Sequence, residues 1–150
     1  MFSSRKRLKG RISKAFSFYS VTLCCYQRQK IFQNFDNGCV ATKALMAFEQ
    51  KGLVKNVCYM VMPDHLHWLF QLQGSVELSS LVKQYKSFTA VKLNQSGVTH
   101  TKIWQSNYYD HQIRQESDLV AQARYIVANP LRAGLVNRVE EYPFWDCIYL

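Results

Sequence analysis

The stretch LVKNVCYMVMPDHLHWLFQL, Leu53 to Leu72, decides how the rest of the chain is read. Two apolar runs, Leu53 to Met62 and Leu66 to Leu72, flank Pro63-Asp64. Short runs rich in β-branched and aromatic residues read as strands. Pro-Asp suits a tight turn, because proline presets φ and aspartate bonds its own backbone. The stretch is therefore a predicted β-hairpin. Its second arm opens with His65-Leu66-His67. Residues two apart on a strand share a face, so the two imidazoles project together and Leu66 points the other way.

Upstream, residues 15–25 (AFSFYSVTLCC) have the composition of an interior strand. From Gly38 to Gln50, Val40, Ala44, Leu45, Ala47 and Phe48 recur near helical spacing, and Lys51-Gly52 provides a stop. Downstream, Ser75 to Asn94 puts Leu78, Leu81, Val82, Tyr85, Phe88 and Leu93 on one helical stripe, with Lys83 and Lys86 on the outer side. Lys102 to Arg114 reads as extended. Ser117 then reads as the cap of a helix running to about Asn129, where Pro130 forbids simple continuation. The order β-α-β-β-α-β-α is that of an α+β ferredoxin-like sandwich, an antiparallel sheet with helices on one face, plus a C-terminal helix. This architecture serves RNA-binding modules, metal chaperones and enzymes alike, so function must come from a site.

The chain has 150 residues, 48% of them hydrophobic, enough for one domain with a real core. Its formal charge of +9 is unevenly placed. Residues 1–30 hold eight bases and no acid, whereas residues 31–150 hold 11 bases and 10 acids. We read residues 1–14 as a basic arm, with Arg5, Lys6, Arg7, Lys9 and Arg11 as candidate phosphate contacts, and 15–150 as a single domain. No run approaches the roughly 18 apolar residues of a membrane span, and the N-terminus lacks the apolar core of a signal peptide, which predicts a soluble intracellular protein. The five cysteines are odd in number and lack C-x-x-C spacing. That argues against a disulfide framework and a cysteine zinc site, and reads as packing.

Two convergent imidazoles are half of a metal site, but a bare H-x-H is more often a pair of ordinary surface or packing histidines. The last helix adds weight to the functional reading. At about 100° per residue, Leu119, Val120, Ala123, Ile126 and Val127 share one arc, while Asp118, Gln122, Tyr125 and Asn129 share the polar arc beside it. A tyrosine among polar neighbours is a weak core candidate. Two imidazoles and an amide oxygen can hold a divalent ion with open positions for phosphate oxygens, and a nearby phenol can then attack phosphorus and store the bond as an ester.

These residues resemble a known family. Tyr59 to Leu69 (YMVMPDHLHWL) is similar to the His-hydrophobic-His segment of single-tyrosine HUH transposases. Tyr125 to Leu135 (YIVANPLRAGL) is similar to the tyrosine helix of their REP-associated branch in bacteria. Trp104-Gln105, Asp110-His111-x-Ile113-Arg114 and Tyr19-Ser20-Val21-Thr22 extend the likeness over roughly Tyr19 to Tyr149. The resemblance implies that Tyr125 is the nucleophile and that His65, His67 and Asn129 bind Mg²⁺ or Mn²⁺. The substrates implied are single-stranded DNA and the hairpins of repetitive extragenic palindromes, in a bacterial cytoplasm at the nucleoid. Asn129 stands where related insertion-sequence enzymes carry Gln, one methylene longer. Asp64 replaces the usual Asn before the first histidine; an acid there could orient a histidine beside the metal or simply favour the turn, and the turn is the cheaper explanation. The segment Glu141 to Cys147 resembles the family's docking tail but lacks its usual serines.

Lys83, Lys86, Arg114, Arg124 and Arg132 are candidate DNA contacts. Trp68, Trp104, Tyr108 and Tyr109 are candidate platforms for unpaired bases, with Trp104 read preferentially as a core anchor. A non-catalytic nucleic-acid module and a palindrome-binding regulator are the alternatives. The first leaves the histidines and Tyr125 without a task, and the RNA-recognition strand signature is missing. A zinc hydrolase would need His100 or His111 as a further ligand, in poor sequence context. Monomer and homodimer remain open.

Overall fold

A computed structural model of the chain describes residues 15–74, 76–98 and 102–150. The basic arm with Arg5, Lys6, Arg7, Lys9 and Arg11 lies outside the described residues, as does His100. The elements are β1 Phe18–Cys24, α1 Phe35–Gln50, β2 Val54–Met62, β3 His65–Leu72, α2 Leu78–Gln95, β4 Tyr109–Ile113, α3 Glu116–Val127, α4 Asn129–Arg132 and β5 Trp145–Cys147. The sheet order is β4-β1-β3-β2-β5, with every neighbouring pair antiparallel. The expected hairpin is present, and Met62 pairs with His65 across its two-residue turn.

Period-two alternation divides the sheet into two faces. Tyr19, Val21 and Leu23 of β1 join Leu66, Trp68, Phe70 and Leu72 of β3 in a core with Ala41, Leu45, Phe48, Leu81 and Tyr85 from α1 and α2. On the opposite face Cys58, Met60, Met62 and Leu69 pack against Leu119, Ala123, Ile126 and Val127 of α3. The helices are therefore not all on one side. α1 and α2 cover one face, and α3 covers part of the other, where both histidines lie.

Three local differences from expectation have physical causes. α1 starts at Phe35 because the Asn34 side chain caps it, accepting from the Asn37 N–H at 3.1 Å. Gly38 then sits inside the first turn, where a Cβ would overlap the Phe144 ring. α3 starts at Glu116 after an N-cap Gln115 that makes no side-chain capping bond, so Ser117 is not the cap. Instead Glu116 and Asp118 place negative charge in the first turn, where the helix dipole favours it. Finally, the tail adds an unforeseen strand. Val61 N–H donates to the Phe144 carbonyl at 2.9 Å, Tyr142 Oη donates to the Val61 carbonyl at 2.6 Å, and β5 pairs with β2.

All five cysteines are free, and four of them are buried, in keeping with packing roles. Among the described residues no helix is long and apolar enough to cross a membrane.

Candidate metal and nucleophile site

Sheet register assembles the site. His67 lies opposite Thr22 on β1 and Met60 on β2, and His65 lies opposite Cys24 and Met62. The two rings are 4.8 Å apart at 89°, edge to face. Each uses Nδ1 for a protein hydrogen bond. His65 Nδ1 is 2.7 Å from Asp64 Oδ1, and His67 Nδ1 is 3.2 Å from Thr22 Oγ1. With the proton on Nδ1, the Nε2 lone pair of each ring is the one left for a ligand, the arrangement common to metal-binding histidines.

Asp64 does more than favour a turn. Its second oxygen, Oδ2, accepts from Arg28 Nε at 3.0 Å, so the carboxylate ties the chain after β1 to the first histidine. Both Gln27 and Arg28 take left-handed backbone with φ 55, which lets the chain double back beneath the turn. Burial raises the Asp64 carboxyl, but the bonds from His65 and Arg28 outweigh it and hold the group below its usual range. Burial lowers His65 against the pull of Asp64. It lowers His67 to about 3, aided by the charges of His65, Arg132 and Arg28. Both imidazoles are thus neutral at pH 7, the state that binds a metal.

α3 delivers the tyrosine. Its apolar stripe is pinned to the sheet, and Gln122 Nε2 donates to Ser20 Oγ at 2.9 Å. Tyr125, one turn further on, is 56% exposed. A cavity of about 210 Å³ is lined by Ser20, Thr22, His67, Tyr109, His111, Gln122 and Tyr125 among others, so His67 and the phenol open onto one space. A second cavity of about 500 Å³ lies between β4 and α3. It shares His111, Gln122 and Tyr125 and adds Gln112, Arg114, Gln115 and Asp118.

Asn129 opens α4, which rests against β2 beside the histidine strand. Its Nδ2 is buried and, among the described residues, has no hydrogen-bond partner. Rotating the amide by 180° exchanges Nδ2 and Oδ1, which would put an unused oxygen at that buried point. Among the described residues no three His, Cys, Asp or Glu gather into a metal cluster. A third protein ligand would have to be an amide or a hydroxyl. Two neutral imidazoles and an unspent amide fit a hard divalent ion that keeps open positions.

The other candidates divide. Arg132 stacks on the Tyr125 ring, Cζ 3.9 Å from its centroid. Arg114 is exposed at the end of β4 and lines the larger cavity, and Arg124 is exposed on α3. Lys83 is exposed on α2, on the far side of the sheet. Lys86 turns inward, its Nζ donating to the carbonyls of Gln105 at 2.7 Å and of Ser106 and Asn107 at 3.4 Å, and burial with nearby Lys102 brings it down to about 8. Its observed task is to hold the loop before β4. Trp68 and Tyr108, expected as candidate stacking platforms, are instead buried, and so is Trp104, whose Nε1 donates to Thr89 Oγ1 at 2.9 Å in the core. Of the four aromatic candidates Tyr109 alone is exposed, and it lines the smaller cavity. The sequence reading passed over Thr22, Arg28, Ser20 and Gln122 as site residues. Thr22 and Ser20 could have been found by alternation from Tyr19, but Arg28 carries no local signal.

The family "Transposase IS200 like" matches residues 14–129, and the chain belongs to it. It is similar to the REP-associated tyrosine transposase of Escherichia coli K12, 32% identical over 88 residues, 57% of this chain and 50% of the relative. A Haemophilus influenzae protein provisionally given the same name is 28% identical over 100 residues, 60% of this chain and 57% of the relative. The chain thus spans about half the length of these two relatives. A solved REP-associated tyrosine transposase bound to a REP hairpin shares the fold, with TM-score 0.75 at 20% identity over 90% of this chain and 79% of that one.

Proposed function

We propose that the chain is a metal-dependent single-stranded DNA nickase and strand transferase that works beside palindromic hairpins through a covalent 5′-phosphotyrosine at Tyr125. The observation that carries this reading is the shared cavity, which the exposed Tyr125 and His67 line together, with His65 edge to face against His67. The hairpin bound in the structurally similar transposase supports the substrate class.

His65, His67 and Asn129 would hold Mg²⁺ or Mn²⁺, with Asp64 and Thr22 fixing the two rings. Such an ion supplies positive charge to the non-bridging oxygens of the scissile phosphate. The Tyr125 oxygen attacks phosphorus in line. The Oη–P bond forms as the P–O3′ bond breaks, the phenol proton passes to solvent, and the departing 3′ oxygen takes up a proton. The phosphate stays on the 5′ side as a tyrosine ester, and attack by another 3′ hydroxyl reverses the step and rejoins strands without ATP. Arg114 and the basic residues of the arm would neutralise flanking phosphates.

The test is a single-stranded hairpin oligonucleotide with Mn²⁺, read as a protein–DNA adduct on a denaturing gel. Wild type should form the adduct. Tyr125→Phe should bind the hairpin equally and form none, and persistence of the adduct in that variant overturns the assignment.

A further inference from the structure

The segment Asn129-Pro130-Leu131-Arg132-Ala133-Gly134-Leu135 is built as a bracket. Pro130 is buried in the first turn of α4, where its missing N–H costs nothing, and Ala128 is still helical at φ −76, ψ −4. The turn closes on a Schellman arrangement. Leu135 N–H donates to the Pro130 carbonyl at 2.9 Å, Gly134 N–H donates to the Leu131 carbonyl at 3.0 Å, and Gly134 takes φ 71, a conformation that costs other residues more. The result is one rigid turn between a proline and a glycine, and the side chain it delivers is Arg132.

That side chain lies on the tyrosine. The guanidinium carbon stands 3.9 Å from the Tyr125 centroid, well inside the range of a cation–π contact. Tyr125 is otherwise exposed, and among the described residues no hydrogen bond holds its hydroxyl. Among the same residues Arg132 has no carboxylate or carbonyl partner, so its N–H groups remain unspent. Its charge also reaches His67. One planar cation therefore touches the ring of Tyr125, which lines a cavity together with His67. Arg124, one residue before the tyrosine, has no comparable contact.

We propose that Arg132 is the positioning residue for Tyr125: it holds the exposed ring by stacking and, with its free N–H groups, aligns the scissile phosphate for in-line attack. This rests on the reading of Tyr125 as the nucleophile. An unsupported phenol on a helix surface rotates freely about χ1 and χ2, whereas a stacked one presents its oxygen in one direction. Misplacement by about an ångström can cost on the order of 10²-fold in rate. Arginine suits both tasks because its plane stacks and its fork grips two oxygens; lysine retains only the charge.

The experiment compares wild type, Arg132→Lys, Arg132→Gln and Arg132→Ala, each first shown by thermal melting to fold. Single-turnover adduct formation is measured at saturating hairpin with Mn²⁺, hairpin affinity is measured separately, and 3-fluorotyrosine is followed by ¹⁹F NMR with the Tyr125 resonance assigned from Tyr125→Phe. Arg132→Ala should slow the saturated rate about 10²-fold with hairpin affinity little changed. Arg132→Lys should recover only part of the rate, and the Tyr125 resonance should move in every variant. If saturating hairpin restores the rate of Arg132→Ala, Arg132 is an ordinary phosphate contact and the inference fails. An unmoved Tyr125 resonance also sinks it. If wild type itself forms no adduct, the reading of Tyr125 falls first and takes this one with it, an outcome visible before any Arg132 variant is made.

Discussion

The two faces of the sheet are written in the same strands with opposite chemistry. On the α1/α2 face Tyr19, Val21, Leu23, Leu66, Trp68, Phe70 and Leu72 are all essentially inaccessible. On the α3 face the intervening positions include Ser20, Thr22, His65 and His67, which make hydrogen bonds to Gln122, to each other's strands and to Asp64, beside a smaller apolar cluster of Cys58, Met60, Met62 and Leu69 under α3. A register slip of one residue would exchange core and site completely. The main core and the polar side chains of the site thus fall on opposite parities along β1 and most of β3, and substitutions at the two sets should fail in different ways.

The largest effect is expected on the apolar face. Trp68→Ala removes a fully buried indole and leaves Asn56 Oδ1 without the 2.7 Å bond it receives from Nε1, a loss of about 3–5 kcal/mol that thermal melting would show. Gly38→Ala comes next. The new methyl must displace the Phe144 ring, which should cost about 1–3 kcal/mol and loosen the tail; an unchanged melting temperature would contradict that close approach.

On the polar face, His67→Ala should be mild at neutral pH but should alter the response to acid. The folded ring titrates at about 3 and the unfolded one at 6.5, so between these values the unfolded chain binds a proton that the folded chain does not. The contribution of this group is complete above about pH 6.5 and declines as pH falls toward 3. Metal-free denaturation curves across that window should be flatter for the variant, and parallel curves would refute the assignment of this acid sensitivity to His67. The smallest effect is Gln122→Ala, which removes one partly buried bond to Ser20 for about 1 kcal/mol or less. A loss as large as that of Trp68→Ala would break the division between faces.

Much of this was legible before any coordinates. The hairpin, the two long amphipathic helices and the polar arc holding Tyr125 follow from periods of 2 and 3.6 residues, because burial imposes those periods directly. What escaped depends on partners distant in sequence. Gly38 has its meaning from Phe144, about a hundred residues away. Arg28 matters through Asp64, and Lys86 reads as an outer-face cation until the carbonyls of residues 105–107 are seen around its nitrogen. Asp64 suits a turn so well that its alternative task, orienting a histidine, is the less economical reading until the 2.7 Å bond to His65 is seen. β5 has three residues, too few for any period to register.

That short strand has a further consequence. β2 is the longest strand in the sheet, and it runs unbroken through Val57-Cys58-Tyr59-Met60-Val61-Met62, an apolar sequence with high β-propensity and no charge. Left open, such an edge would invite pairing with another chain. The tail occupies it at Cys58 to Met60, with the Phe144 carbonyl taking the next free N–H at Val61. Residues 144–147 thus cover the edge most open to pairing with another chain, and losing them should be felt first as insolubility.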